Sequence, residues 1–103
     1  MDFIQITYDK AKDMIENNEV TVADVRSRES YEENHIPNAT HLSMANLETF
    51  CDLSDKSKPV LVYCYHGISS QSVAQHLIEQ GFKNVFSLLG GFEAWQVHHS
   101  AAE

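Results

Sequence analysis

Basic residues are scarce in this chain. Seven Lys and Arg stand against fifteen Asp and Glu, a formal net charge of −8. That argues against nucleic acid or an anionic membrane as partner, since both are bound through clusters of cations. Long apolar runs are also missing, so no segment of about 20 residues can span a bilayer as a helix. The opening Met1-Asp2-Phe3-Ile4-Gln5 has no basic stretch and no apolar leader core. Two cysteines, Cys51 and Cys64, are too few for a disulfide framework, and the expected location is the reducing cytoplasm. The six histidines lack metal-ligand spacing, and His98-His99 reads as an exposed pair near the end. Repeats, low-complexity tracts and an interdomain linker are absent. What remains, 103 residues of which 43% are hydrophobic, suits a single globular domain spanning 1–103.

Within it, apolar patterns alternate between strand and helix. Thr7 reads as the N-cap of an amphipathic helix from Tyr8 to about Asn17, with Ala11, Met14 and Ile15 on one face. Val20–Val25 suits a buried strand. Ser27 heads a short helix over Arg28–Glu33. Pro37 turns the chain after Ile36. Ser43 is a candidate cap for a helix over Ala45–Cys51, followed by a polar loop to Pro59. Val60–Cys64 is a second strand. A helix over Gln71–Gln80 buries Val73, Ala74, Leu77 and Ile78 and stops at Gly81. Asn84–Leu88 is a third strand, and a last helix over Phe92–His98 follows the Gly90-Gly91 break. This order indicates an α/β fold with a largely parallel sheet, whose ligand sites lie at the C-terminal ends of the strands.

Cys64 falls at such an end. It closes the run Val60-Leu61-Val62-Tyr63 and opens a loop of six residues, Cys64 to Ser69, ahead of a helix. Amides at a helix start and its positive dipole end favour thiolate over thiol, and the same amides hold anions. From Pro59 to Ile78 there is no Asp, Glu, Lys or Arg, so these local donors act without a competing charge in the segment. Gly67 lets the loop turn its amides inward. Ser69 and Ser70 either cap the helix or offer hydroxyls to an anion. The plain alternative is a buried strand-end cysteine with two capping serines. Position 70 is serine where a cysteine phosphatase needs an arginine to grip phosphate. A short loop without that arginine suits one added sulfur atom better than a phosphoryl group.

Several ordered motifs together resemble the single-domain rhodaneses, thiosulfate sulfurtransferases of the small bacterial type. They are Asp24-Val25-Arg26, Tyr31 with His35-Ile36-Pro37-Asn38-Ala39, the loop Cys64-Tyr65-His66-Gly67, and Gly90-Gly91-Phe92-Glu93-Ala94-Trp95. The resemblance covers nearly the whole chain. It departs at Asn34 and Asn38, where glycines are usual, and after the cysteine, where Tyr65 and His66 stand in place of Lys or Arg. Asparagine tolerates left-handed backbone, so the turn is expected to persist.

The resemblance implies a mostly parallel central sheet of about five strands with helices on both faces. It also implies that Cys64 attacks the outer sulfur of thiosulfate, carries it as a persulfide and passes it to cyanide or a thiol such as reduced thioredoxin. On that reading the amides of Tyr65, His66, Gly67, Ile68 and Ser69 bind the substrate, with the Ser69 hydroxyl as an added donor. No metal or organic cofactor is called for. His66 either steers the anion or simply faces solvent. Asp24 and Arg26 read as a structural ion pair, Trp95 as a buried aromatic, and Cys51 as core packing rather than a resolving thiol. Three other classes compete: a cysteine phosphatase or arsenate reductase on the same fold, a non-catalytic binding module, and a sulfur relay fed by a protein or glutathione persulfide.

Overall fold

A computed structural model describes residues 2–102. In chain order the elements are β1 (Ile4–Ile6), α1 (Tyr8–Glu16), β2 (Thr21–Asp24), α2 (Arg28–Glu33), β3 (Thr40–His41), α3 (Leu47–Leu53), β4 (Val60–Tyr63), α4 (Ser69–Glu79), β5 (Val85–Leu88) and α5 (Gly91–Ala102). The five strands form one sheet in the order β1-β5-β4-β2-β3, and every pairing is parallel. β4 is unbroken in its apolar character because it lies mid-sheet and is buried on both faces. Leu61 and Tyr63 face a core shared with Tyr8, Ala11, Ile36, Phe92 and Trp95. Val60 and Val62 face the other core, with Cys51, Ala74, Leu77 and Phe82. Thus α1 and α5 cover one side and α3 and α4 the other. Among the described residues no helix is long and apolar enough to cross a membrane.

Several local expectations need correction. β1 and β3 have three and two residues, too short for alternation to show, and they exist because longer neighbours pair with them. Ser43 does not cap α3. Asn46 stands at the N-cap position, and its Oδ1 accepts the Ser43 amide at 2.7 Å. Thr7 does occupy the N-cap of α1, but its hydroxyl makes no capping bond. α4 begins at Ser69, two residues before expectation, so the loop is shorter than read. His99 is half-buried against Tyr8, whose hydroxyl lies 3.0 Å from its Nδ1. Asn38 does adopt the left-handed backbone at φ 69°, whereas Asn34 is extended.

One buried polar network joins the ends of the central strands. Asp24 is fully buried and receives the Arg26 guanidinium, with Nη2 2.6 Å from Oδ2, and the Tyr63 hydroxyl at 2.7 Å. Tyr63 in turn accepts the Ile36 amide at 3.1 Å, and Arg26 Nη2 donates to the Asn34 carbonyl at 2.6 Å. The guanidinium carbon sits 4.1 Å from the centre of the Phe92 ring. Burial works against the Arg26 charge, yet the bond to Asp24 raises its pKa overall. Burial and then the bond to Asp24 push the Tyr63 phenol up, so it stays a donor. The expected ion pair is therefore present, and it anchors the His-Ile-Pro segment.

The loop after β4 and the start of α5 interlock through glycines. The amides of Phe92 and Glu93, which a helix start leaves unpaired, donate to the carbonyls of Cys64 and Tyr65 at 2.8 and 3.0 Å. A Cβ on Gly91 would lie 2.5 Å from both those oxygens, and one on Gly67 would lie 2.8 Å from the Gly90 nitrogen. Both glycines also have positive φ.

Two stability outcomes follow from this packing. Asp24→Ala leaves the Arg26 charge buried and unpaired and is expected to cost about 3–5 kcal/mol in urea denaturation. A loss under about 1 kcal/mol would show that water replaces the carboxylate. Gly91→Ala should destabilise by about 2 kcal/mol or more, because strain and overlap act together; unchanged stability would contradict the interlock.

Candidate active site

β4 ends at Tyr63, so Cys64 is delivered to the C-terminal edge of the sheet with α4 directly ahead of it. The loop between them runs through Gly67, whose φ of 87° reverses the backbone. This reversal aims amides back at the cysteine. The Gly67 amide donates to Cys64 Sγ at 3.1 Å, and the Ser70 amide, in the first turn of α4, donates at 3.2 Å. The Gln71 side chain braces the turn by donating to the Gly67 carbonyl at 2.8 Å.

Cys64 is only 4% exposed. Burial pushes its thiol up, since a charge is poorly solvated there. The hydroxyls of Ser69 and Ser70 and the amides of Ser70 and Gly67 act in the opposite direction and prevail, so the pKa is lowered to about 7. Cys51 is the useful contrast. It is equally buried, on the core face of α3 itself, and there burial pushes its thiol up, with the Lys56 charge offsetting only part of the effect. One thiol thus has its charged form favoured, and the other is a packing residue.

The expected donors sort unevenly. Gly67 reaches the sulfur through its amide, and the Ser69 hydroxyl acts on it as the largest of the contributions that lower its pKa. The amides of Tyr65, His66 and Ile68 do not donate to it; those residues form the outer wall of the loop, and the side chains of Tyr65 and Ile68 are 45% and 73% exposed. His66 Nδ1 lies 3.4 Å from Glu93 Oε1, both side chains exposed, so any positive charge on that ring is matched by a carboxylate. Trp95 is buried in the core and does not wall the loop. The main residue missing from the expected set is Ser70. Its serine at the position of the phosphatase arginine was legible, but its amide contact depends on α4 starting two residues early. A cavity of about 200 Å³ opens beside the loop, lined in part by Arg26, Glu33, Tyr65 and Gln96. Among the described residues, no three His, Cys, Asp or Glu side chains cluster to hold a metal ion.

This arrangement can bear a thiolate and accept one further anionic atom at the helix start. Comparison with known proteins points the same way. Residues 7–98 match the rhodanese-like domain family. A protein of Coxiella burnetii named thiosulfate sulfurtransferase GlpE is 57% identical over 100% of this chain and 96% of its own length. One of the same name from Pseudoalteromonas translucida is 39% identical over 97% and 95%. The crystal structure of a rhodanese-like domain protein from Staphylococcus aureus superposes with a TM-score of 0.79 at 28% identity, covering 90% of this chain and 91% of that one. On the match across 7–98 and identity of this order along the full chain, the protein belongs to the rhodanese-like domain family.

Proposed function

We propose that the protein is a thiosulfate sulfurtransferase that carries sulfur on Cys64. The observation that carries this reading is the pair of amides converging on a buried sulfur at 3.1 and 3.2 Å. The names of its close relatives support the same activity.

The chemistry takes two displacements. The Cys64 thiolate attacks the outer sulfur of thiosulfate. The sulfur–sulfur bond of the donor breaks, and sulfite leaves with the bonding pair. Cys64 then holds a persulfide whose outer atom bears the negative charge. The backbone amides of Tyr65, His66, Ile68 and Ser69, which do not serve Sγ, are the donors for that outer sulfur and for the departing oxygens. A thiophile, cyanide or a thiol, next attacks the outer sulfur, and the electron pair returns to Sγ as thiolate. No net oxidation occurs at the protein, and each step needs only an activated sulfur and preorganised donors. Thioredoxin is the protein thiol we propose to test as the natural acceptor, and a reducing cytoplasm is the setting in which Cys64 stays free. The helix-start donors also explain how a chain of charge −8 binds a dianion: the segment around Cys64 carries no charge of its own.

Initial rates with thiosulfate and cyanide both varied should give ping-pong kinetics, and Cys64→Ser should lose activity by about a thousandfold or more. A variant that kept turnover would remove Cys64 from the mechanism. The lowered pKa has its own outcome. Because the charged form is favoured, alkylation of Cys64 should be slow below pH 6, rise through a midpoint near 7 and level off by pH 8. An ordinary thiol would still be rising at about 8.5, and that profile would contradict the activation.

A further inference from the structure

Ser87 places a hydroxyl where an apolar atom would pack. It lies in β5, in register with Gln5 of β1 and Val62 of β4, and is 1% exposed. Strand alternation puts it on the face of Val62 and Val85, beneath α4, where the surrounding core is apolar. A buried hydroxyl without a partner is costly, so its one side-chain partner is informative. That partner is Ser70 Oγ at 2.8 Å, itself fully buried, and either oxygen can donate. Ser70 is also the residue whose amide donates to Cys64 Sγ. Ser70 thus links β5 to the sulfur: its hydroxyl bonds Ser87, its amide bonds Sγ, and that hydroxyl is also among the groups that lower the Cys64 pKa.

The direction of the chain follows from charge. Each hydroxyl has one proton and spare lone pairs. When Cys64 is thiolate, a proton facing the sulfur makes a charge-assisted bond, stronger than a bond between neutral hydroxyls. Ser70 then has its proton committed to Sγ and an open lone pair, which the Ser87 proton fills. Such a chain polarises in one sense and reinforces itself.

We propose that Ser87 is a positioning residue for sulfur transfer, donating to Ser70 Oγ so that the Ser70 hydroxyl is held as a donor to Cys64 Sγ. Ser87 touches no reacting atom and acts only through Ser70. The donor serves both displacements: it stabilises the attacking thiolate, and it stabilises Sγ again when the acceptor removes the outer sulfur and the electron pair returns. The inference rests on Cys64 being the nucleophile.

The test is the pH profile of Cys64 alkylation together with steady-state kinetics. Ser87→Ala should move the midpoint up by about half to one pH unit and lower kcat about five- to tenfold, with KM for thiosulfate changed less than twofold. Ser70→Ala should shift at least as far, and the double variant should match Ser70→Ala alone, since Ser87 has no other route to the sulfur. Should Ser87→Ala fold poorly, Ser87→Thr and Ser87→Val form a pair of equal shape: the threonine should keep the wild-type midpoint and the valine should lose it. A midpoint unmoved in Ser87→Ala, or equal in the threonine and valine variants, would overturn the proposal, as would additive shifts in the double variant. A melting temperature that falls while the midpoint stays put would assign Ser87 to packing. Wild-type protein that takes up no sulfur would instead refute the nucleophile reading, so the two failures are distinguishable.

Discussion

Everything in this site depends on a contest at one sulfur atom. Burial by the sheet and by α4 disfavours charge on Cys64, while hydrogen bonds from Ser69, Ser70 and Gly67 favour it, and the hydrogen bonds prevail. Remove the converging hydroxyls and amides and the same position becomes another Cys51, a thiol in a core whose burial disfavours charge. The fold can be understood as the means of keeping those amides in place. A parallel sheet sends β4 directly at the N-terminus of a helix, and the left-handed backbone at Gly67 turns the intervening loop back on the cysteine.

The loop is held from two further directions. From behind, α5 uses its first free amides to grip the carbonyls of Cys64 and Tyr65, an approach close enough that only glycine fits at 91. From the side, the Asp24–Arg26–Tyr63 network locks the end of β2 to the end of β4 and ties both to the His-Ile-Pro segment and the Phe92 ring. Each of the family motifs thus has a mechanical role around one loop, though the motifs lie far apart in sequence. Rigid support of this kind keeps donors where charge develops, so little reorganisation is needed at the moment of reaction.

Much of this was legible beforehand. β4, Cys64 and α4 stand out because a both-faces-buried strand, a turn glycine and a helical pattern follow one another without a charge. The ion pair at 24 and 26, the packing roles of Trp95 and Cys51, and the left-handed turn at Asn38 also followed from residue type and position. What escaped was short or relational. β1 and β3 are edge strands of three and two residues, visible only through their partners. Asn46, not Ser43, organises the entry to α3, because either side chain could bond the other's amide across that turn. The Gly90-Gly91 break looks like a simple stop in sequence, whereas Gly91 is required by atoms of residues 64 and 65. Ser70 joined the donors, and Ser87 came into view, only when the helix start and the sheet register were known.

The most direct measurement is intact-protein mass spectrometry after incubation with thiosulfate, then after cyanide, with Cys64→Ser alongside. A persulfide on Cys64 requires a gain of one sulfur atom in the wild-type protein, its removal by cyanide, and no gain in the variant. Unmodified wild-type protein after thiosulfate, or equal gain in Cys64→Ser, would contradict it.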